Sequence, residues 1–155
     1  MHEELTHIDA AGRITMVDVG DKPISRRRAV AEGFFIAAPS TIERLLAGDV
    51  PKGEPFAAAR IAGIQAAKRT DALIPLCHSL PLDQVTVEIE RAGEDRLRIE
   101  ASASVTARTG VEMEALTAVS IAALTLYDMT KAIDRALRID GIRLVEKTKI
   151  PVGAP

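Results

Sequence analysis

Between Glu114 and Asp128 the chain runs through thirteen residues, Ala115 to Tyr127, without a single charge. The pattern predicts a long helix from Val111 to about Leu137. Its uncharged part is apolar nearly all round, so it belongs in a core or an interface rather than on a wetted surface. The same run falls short of the ~20 residues that a membrane-spanning helix needs. The ionisable groups stand at its two ends, with Glu112 and Glu114 at the start and Asp128 and Lys131 at the finish. Asp128 and Lys131 are three apart and so neighbours on one helical face. Glu114 and Asp128 are separated by about 1400° of turn, which returns them to within ~40° of one face but leaves them ~21 Å apart along the axis. One small substrate cannot touch both ends within one subunit. If both serve one pocket, a neighbouring chain must supply one of them.

A chain of 155 residues fits one domain. Only 3% of its residues are aromatic and none is Trp, so a core must come from Ala, Val, Ile and Leu. Side chains this small bury little area each, and subunit association is the expected source of further stability. A net charge of −2 gives no global basic field to attract nucleic acid. The single Cys77 excludes an internal disulfide and a Cys-rich metal or iron–sulfur site within one subunit. Met1 to Asp9 is polar and acidic, unlike a secretory or mitochondrial leader, so a cytoplasmic protein is expected.

Residues 1–15 read as an arm, expected to be partly mobile. Arg28 to Ala38 suggests a strand stopped by Pro39. Ser40, with Glu43 three residues on, reads as a capping box opening a short helix to Ala47. Phe56 to Arg69 reads as an Ala-rich helix, in which Gly63 should cost about 1 kcal/mol of propensity unless a close backbone contact explains it. Asp71 to Asp83 holds two prolines and is expected to be irregular. Val85 to Glu90 alternates as a half-buried strand. Gly93-Glu94-Asp95 turns it back into a strand from Arg96 to Thr106, and a last strand runs from about Ile139 to Lys147. The order β-α-α-β-β-α-β, with the two early helices grouped, predicts an α+β, ferredoxin-like βαββαβ sandwich with an antiparallel sheet and helices on one face. Residues 1–155 then form a single domain, with 148–155 as a tail expected to move.

Asp128 and Lys131 have a plain reading as a surface ion pair. They also have a functional one, as an acid and a base at the rim of a desolvated cavity. Glu112 and Glu114 in a first turn offset the helix dipole whatever else they do. Leu76-Cys77-His78 lies between Pro75 and Pro81 in a loop. It reads as a buried structural pair, as a substrate-contacting loop, or as a nucleophilic Cys/His site, which would need the two side chains in contact. Metal binding is the weakest reading, because none of the three His stands at a paired spacing. Among the basic residues, Lys52 beside Gly53 and Lys68 at the end of the Ala-rich helix could hold a phosphate-bearing metabolite. There is no Walker loop and no G-x-G-x-x-G.

Several segments together carry a resemblance. They are Met16-Val17-Asp18-Val19, Lys52-Gly53, Phe56 to Thr70, Leu73 to His78, Thr109 to Thr117, and Tyr127-Asp128-Met129-Thr130-Lys131-Ala132. In this order and spacing the chain, from about Leu5 to Lys147, resembles the cyclic pyranopterin monophosphate synthase family of molybdenum cofactor biosynthesis. The resemblance implies a lyase that rearranges a 3′,8-cyclo-7,8-dihydro derivative of GTP and releases diphosphate. It implies Asp128 as catalytic acid/base with Lys131 beside it. It places Leu76, Cys77, His78, Glu112, Met113 and Glu114 against the substrate, and Lys52, Lys68 and Lys147 near its triphosphate and base, with Asp18 and Arg27 also at family positions. It further implies a homohexamer, a trimer of dimers, with sites between subunits. No metal site or cofactor of its own is implied, though Mg²⁺ can accompany a triphosphate. Ser79 stands where many relatives carry Pro, and Lys149-Ile150-Pro151 where glycines are usual, which predicts a stiffer C-terminal segment. A non-catalytic metabolite-binding module is the rival from another class. RNA binding fits poorly, since stacking aromatics and positive charge are both missing.

Overall fold

A computed structural model describes residues 7–153. The first six residues of the expected arm and the last two of the expected tail lie outside the described residues. The elements are β1 (Ser25–Ile36), α1 (Pro39–Leu46), α2 (Pro55–Ala67), α3 (Thr70–Leu73), β2 (Gln84–Arg91), β3 (Arg96–Ala107), α4 (Glu112–Thr130) and β4 (Arg138–Pro151). The four strands form one sheet in the order β2-β3-β1-β4, with every pair antiparallel. This is the expected α+β ferredoxin-like architecture, with α3 as an added single turn in the segment expected to be irregular.

Strand alternation sorts the sheet into two faces. Ala29, Ala31 and Phe35 of β1, Val87 of β2, and Leu97, Ile99, Ala101, Ala103 and Val105 of β3 make one buried face. Against it α4 lays Ala115, Ala118, Val119, Ala122 and Leu126. The other face is polar, with Glu32, Arg98, Glu100 and Arg143 in one charged network and Thr86 and Ser102 joined by their hydroxyls at 2.8 Å.

Two glycines allow these layers to meet. A Cβ on Gly33 of β1 would lie 2.8 Å from Val119 of α4. One on Gly63 of α2 would lie 2.9 Å from the Ala118 carbonyl oxygen of α4 and 3.0 Å from Val87. That contact is the close approach that a mid-helix glycine called for. Gly63→Ala should therefore destabilise the protein by about 1–2 kcal/mol in chemical denaturation, despite alanine's better helix propensity, because a backbone carbonyl cannot step aside. A stability gain would show that the helices slide apart at no cost.

Several boundaries differ from expectation, β1 running from Ser25 to Ile36 and not Arg28 to Ala38, and α2 stopping at Ala67 and not Arg69. α1 begins at Pro39 with Ala38 as N-cap, and no side chain of its own caps it. Ser40 and Glu43 form no capping box, because Pro39 at N1 moves the start two residues earlier. The carboxylate at this end comes instead from Asp134, which accepts from the Ala38 amide and from the Thr41 hydroxyl, both at 2.9 Å. α4 ends at Thr130, seven residues before the expected Leu137, in a turn where Ile133 and Asp134 donate back to the Thr130 carbonyl. β4 runs past Lys147 to Pro151, paired with β1 to the last residue.

Candidate functional site

The expected site residues gather at opposite ends of α4. At its C-terminal end, Asp128 lies in the last turn and Lys131 is the C-cap. Lys52 comes from the loop between α1 and α2. Each Asp128 oxygen takes one ammonium, Oδ1 from Lys131 at 2.8 Å and Oδ2 from Lys52 at 2.6 Å. The two lysines, Lys131 first, hold the Asp128 carboxyl down to about 2, and the carboxylate raises the Lys131 ammonium in return. The expected desolvation does not arise within the chain, where the Asp128 and Lys131 side chains are 55% and 58% exposed. The reason is local. α4 turns its alanines to the sheet and α2, which leaves Leu124 and Asp128 on the outward side.

At the N-terminal end of α4, Glu114 is 4% exposed, and burial pushes its carboxyl up from the ordinary range. The Leu76–Ser79 loop lies in the same region. Burial raises the Cys77 thiol, and the Glu114 and Asp71 charges raise it further. A thiol disfavoured as thiolate is a poor nucleophile. His78 is also committed elsewhere, with Nε2 2.8 Å from the Val17 carbonyl oxygen. A carbonyl can only accept, so Nε2 carries the proton and donates, and Nδ1 is the nitrogen left for other work. These two observations count against a Cys/His nucleophilic pair. The Ser79 hydroxyl donates to Asp71, a second tie on the loop.

The tie to Val17 brings the Met16–Val19 segment, with Asp18, beside His78. Asp18 accepts from the Gly20 amide at 2.8 Å. Further along the same end, Lys147 of β4 reaches Glu112 at 3.2 Å. Arg27, Arg28, Lys147, Lys149 and the Gly110–Glu112 turn enclose a cavity of about 200 Å³. Arg27 donates to the Arg108 carbonyl at 3.2 Å, while its Nε is buried without a partner. Met113 is exposed at the helix start and Leu76 half-buried in the loop. Lys68, the C-cap of α2, lines a different cavity of about 440 Å³ together with Leu80–Val85.

The structure thus joins Asp128, Lys131 and Lys52 at one end. Glu112, Met113, Glu114, Leu76, Cys77, His78, Asp18, Arg27 and Lys147 lie toward the other, and Lys68 stands apart from both. Nineteen residues of α4 separate the two ends. Three contacts had no sequence signal: Lys52 with Asp128, His78 with the Val17 carbonyl, and Asp134 with α1. They join residues 76, 61 and more than 90 positions apart.

Comparison with known proteins gives the family. The model of the MoaC family matches residues 16–149. A protein of Chloroflexus aggregans named cyclic pyranopterin monophosphate synthase is 54% identical over 94% of this chain and 88% of its own length. A protein of Chloroflexus aurantiacus with the same name is 54% identical over 94% of this chain and 90% of its own. With the family model spanning both ends of α4 and more than half of the residues shared across nearly the whole length, the chain belongs to the MoaC family.

Proposed function

We propose that this chain is a cyclic pyranopterin monophosphate synthase of molybdenum cofactor biosynthesis. It takes (8S)-3′,8-cyclo-7,8-dihydroguanosine 5′-triphosphate, rearranges it to cyclic pyranopterin monophosphate and releases diphosphate, as a phosphorus–oxygen lyase of the cytoplasm. The observation that carries this reading is the family match, which covers all three parts of the charged constellation around α4.

The residue chemistry fits the reaction. Opening and reclosing a purine-derived skeleton moves protons on and off nitrogen and carbon. Asp128 is ionised in the resting site and is the group proposed to accept a proton, with the adjoining Lys131 ammonium, 2.8 Å away, proposed to return one. Departing diphosphate is a concentrated negative charge. Cations fixed in advance around it lower the barrier to its loss, and Lys52, Lys68, Lys147 and Arg27 are the groups proposed for that work. The cavity bounded by Arg27, Lys147 and Lys149 is cationic in the required sense.

A homohexamer with sites between subunits completes the reading. The two ends of α4 are too far apart for one substrate, and an apolar helix surface is there for a second copy to cover. Leu73, Ile121 and Ala62 line a cavity of about 450 Å³ on it, beside exposed Ile61 and Leu124. The test is to incubate the purified protein with the cyclised GTP derivative and measure diphosphate and pterin product together. Stoichiometric release of both is expected. Tight binding without release would instead identify a metabolite-binding module.

A further inference from the structure

The carboxylate that replaces the missing capping box belongs to the turn that carries Lys131. Asp134 follows Lys131 by three residues, and the turn between them is closed by Ile133 and Asp134 amides donating to the Thr130 carbonyl. From this turn one Asp134 oxygen accepts from the Ala38 amide and from the hydroxyl of buried Thr41, and the other accepts from the Ala136 amide at 2.8 Å. Ala38 and Thr41 form the start of α1, where the positive end of the helix dipole favours a carboxylate. The loop that carries Lys52 leaves the other end of the same helix. Partly buried Ile133 and Leu137 hold the turn against the core from its apolar side. Apolar contact is non-directional and does not fix the angle at which Lys131 leaves the helix. The Lys131 amide donates to the Tyr127 carbonyl at 2.9 Å, and beyond it the two hydrogen bonds from α1 to the Asp134 carboxylate fix the direction of the turn.

We propose that Asp134 is a positioning residue for the Asp128–Lys131 pair, pinning the C-terminal turn of α4 to the start of α1 and so holding the Lys131 ammonium against Asp128. The proposal rests on the reading of Asp128 and Lys131 as the reacting pair, but it can be tested without substrate. With the pin removed, Lys131 spends less time at 2.8 Å from Asp128. The carboxylate then loses part of the interaction that holds it ionised, and its titration midpoint rises.

The experiment is a carbon-detected NMR titration of the Asp128 carboxyl in the full-length protein, parent against Asp134→Ala and Thr41→Val. Thr41→Val removes one of the three bonds at nearly constant shape, and it keeps the question answerable if Asp134→Ala does not fold. The midpoint should rise by about one pH unit in Asp134→Ala and by a smaller amount in Thr41→Val. Where turnover is measurable, kcat should fall by about tenfold with KM changed less than about twofold. A merely structural role would lower thermal stability in both variants without moving the midpoint, and an unmoved midpoint in folded protein overturns the proposal. That outcome leaves the enzymatic reading intact, because Asp128→Asn tests that reading separately.

Discussion

Asp128→Asn should lower kcat by about a thousandfold or more while substrate affinity stays within a few-fold of the parent. The exchange keeps size and removes the titrating group. In the parent each carboxylate oxygen accepts from one ammonium. In the variant the amide oxygen can still accept from one lysine, but the amide nitrogen, a donor, faces the other. One cation is released from its hold, yet neither is lost from the site. Affinity for the triphosphate should therefore survive while the proposed base is gone, and a pre-steady-state binding measurement separates the two effects. Turnover within tenfold of the parent would remove Asp128 from the chemistry. The variant also reports on the assembly. Co-expressed at equal levels with Glu114→Gln, which disables the opposite end of α4, it should recover activity at about a quarter of the sites, the random share for sites built from two chains. A site built within one chain would recover none.

What the residues disclosed in advance follows the range of the forces involved. α4 was legible because a run of thirteen uncharged residues is a local pattern, and so were β2 and β3, whose alternation and Gly93 turn lie within one hairpin. Gly63 was readable as a close contact, since helix propensity alone gives no reason for a glycine there. The long-range hydrogen bonds were hidden. Ser40 and Glu43 have the spacing of a capping box, but Pro39 already has the fixed φ of a first helical position, and Asp134 fills the cap from 93 positions away. The early end of α4 was hidden for the same reason. Ala132, Ile133 and Ala136 continue the helical pattern, and only the tie to α1 shows why the chain turns there. The opposition of Lys52 and Asp128 also had no local sign, so Lys52 was readable as a phosphate ligand and not as a partner of the base. The likeness to a family supplied which groups to propose for the site, and the fold supplied how they are held.

Glu32→Ala should cost about 3 kcal/mol of stability, measured by chemical denaturation at fixed protomer concentration. Glu32 is the buried centre of the charged network on the open sheet face, with a side chain 7% exposed. Its Oε2 accepts from Arg98 at 2.7 Å, and its Oε1 accepts from both Nε and a terminal nitrogen of Arg143 at 2.7 and 2.6 Å. Arg98, through its hydrogen bond, and then Arg143 hold the carboxyl below its ordinary range. A carboxylate with a depressed folded pKa contributes in full above its unfolded value near 4.3, and that contribution is lost as pH falls through the lower folded value. The gap between parent and variant should therefore be constant from neutral pH down to about 5 and should close in stronger acid. The two arginines do not suffer equally. Arg143 is 70% exposed and regains water, whereas Arg98 is 26% exposed and keeps only Glu100 and Glu90. The loss falls most heavily on β4. Its register with β1 shifts on either side of Glu32, so the ladder is weakest where this carboxylate bridges the strands. Beyond that point β4 carries Lys147 to Glu112. Hydrogen exchange in Glu32→Ala should accordingly rise first in β4 from Leu144 onward, while β2 and β3 stay protected. A uniform rise across the sheet, or a stability change under about 0.5 kcal/mol, would show that the bridge does not hold the edge strand in place.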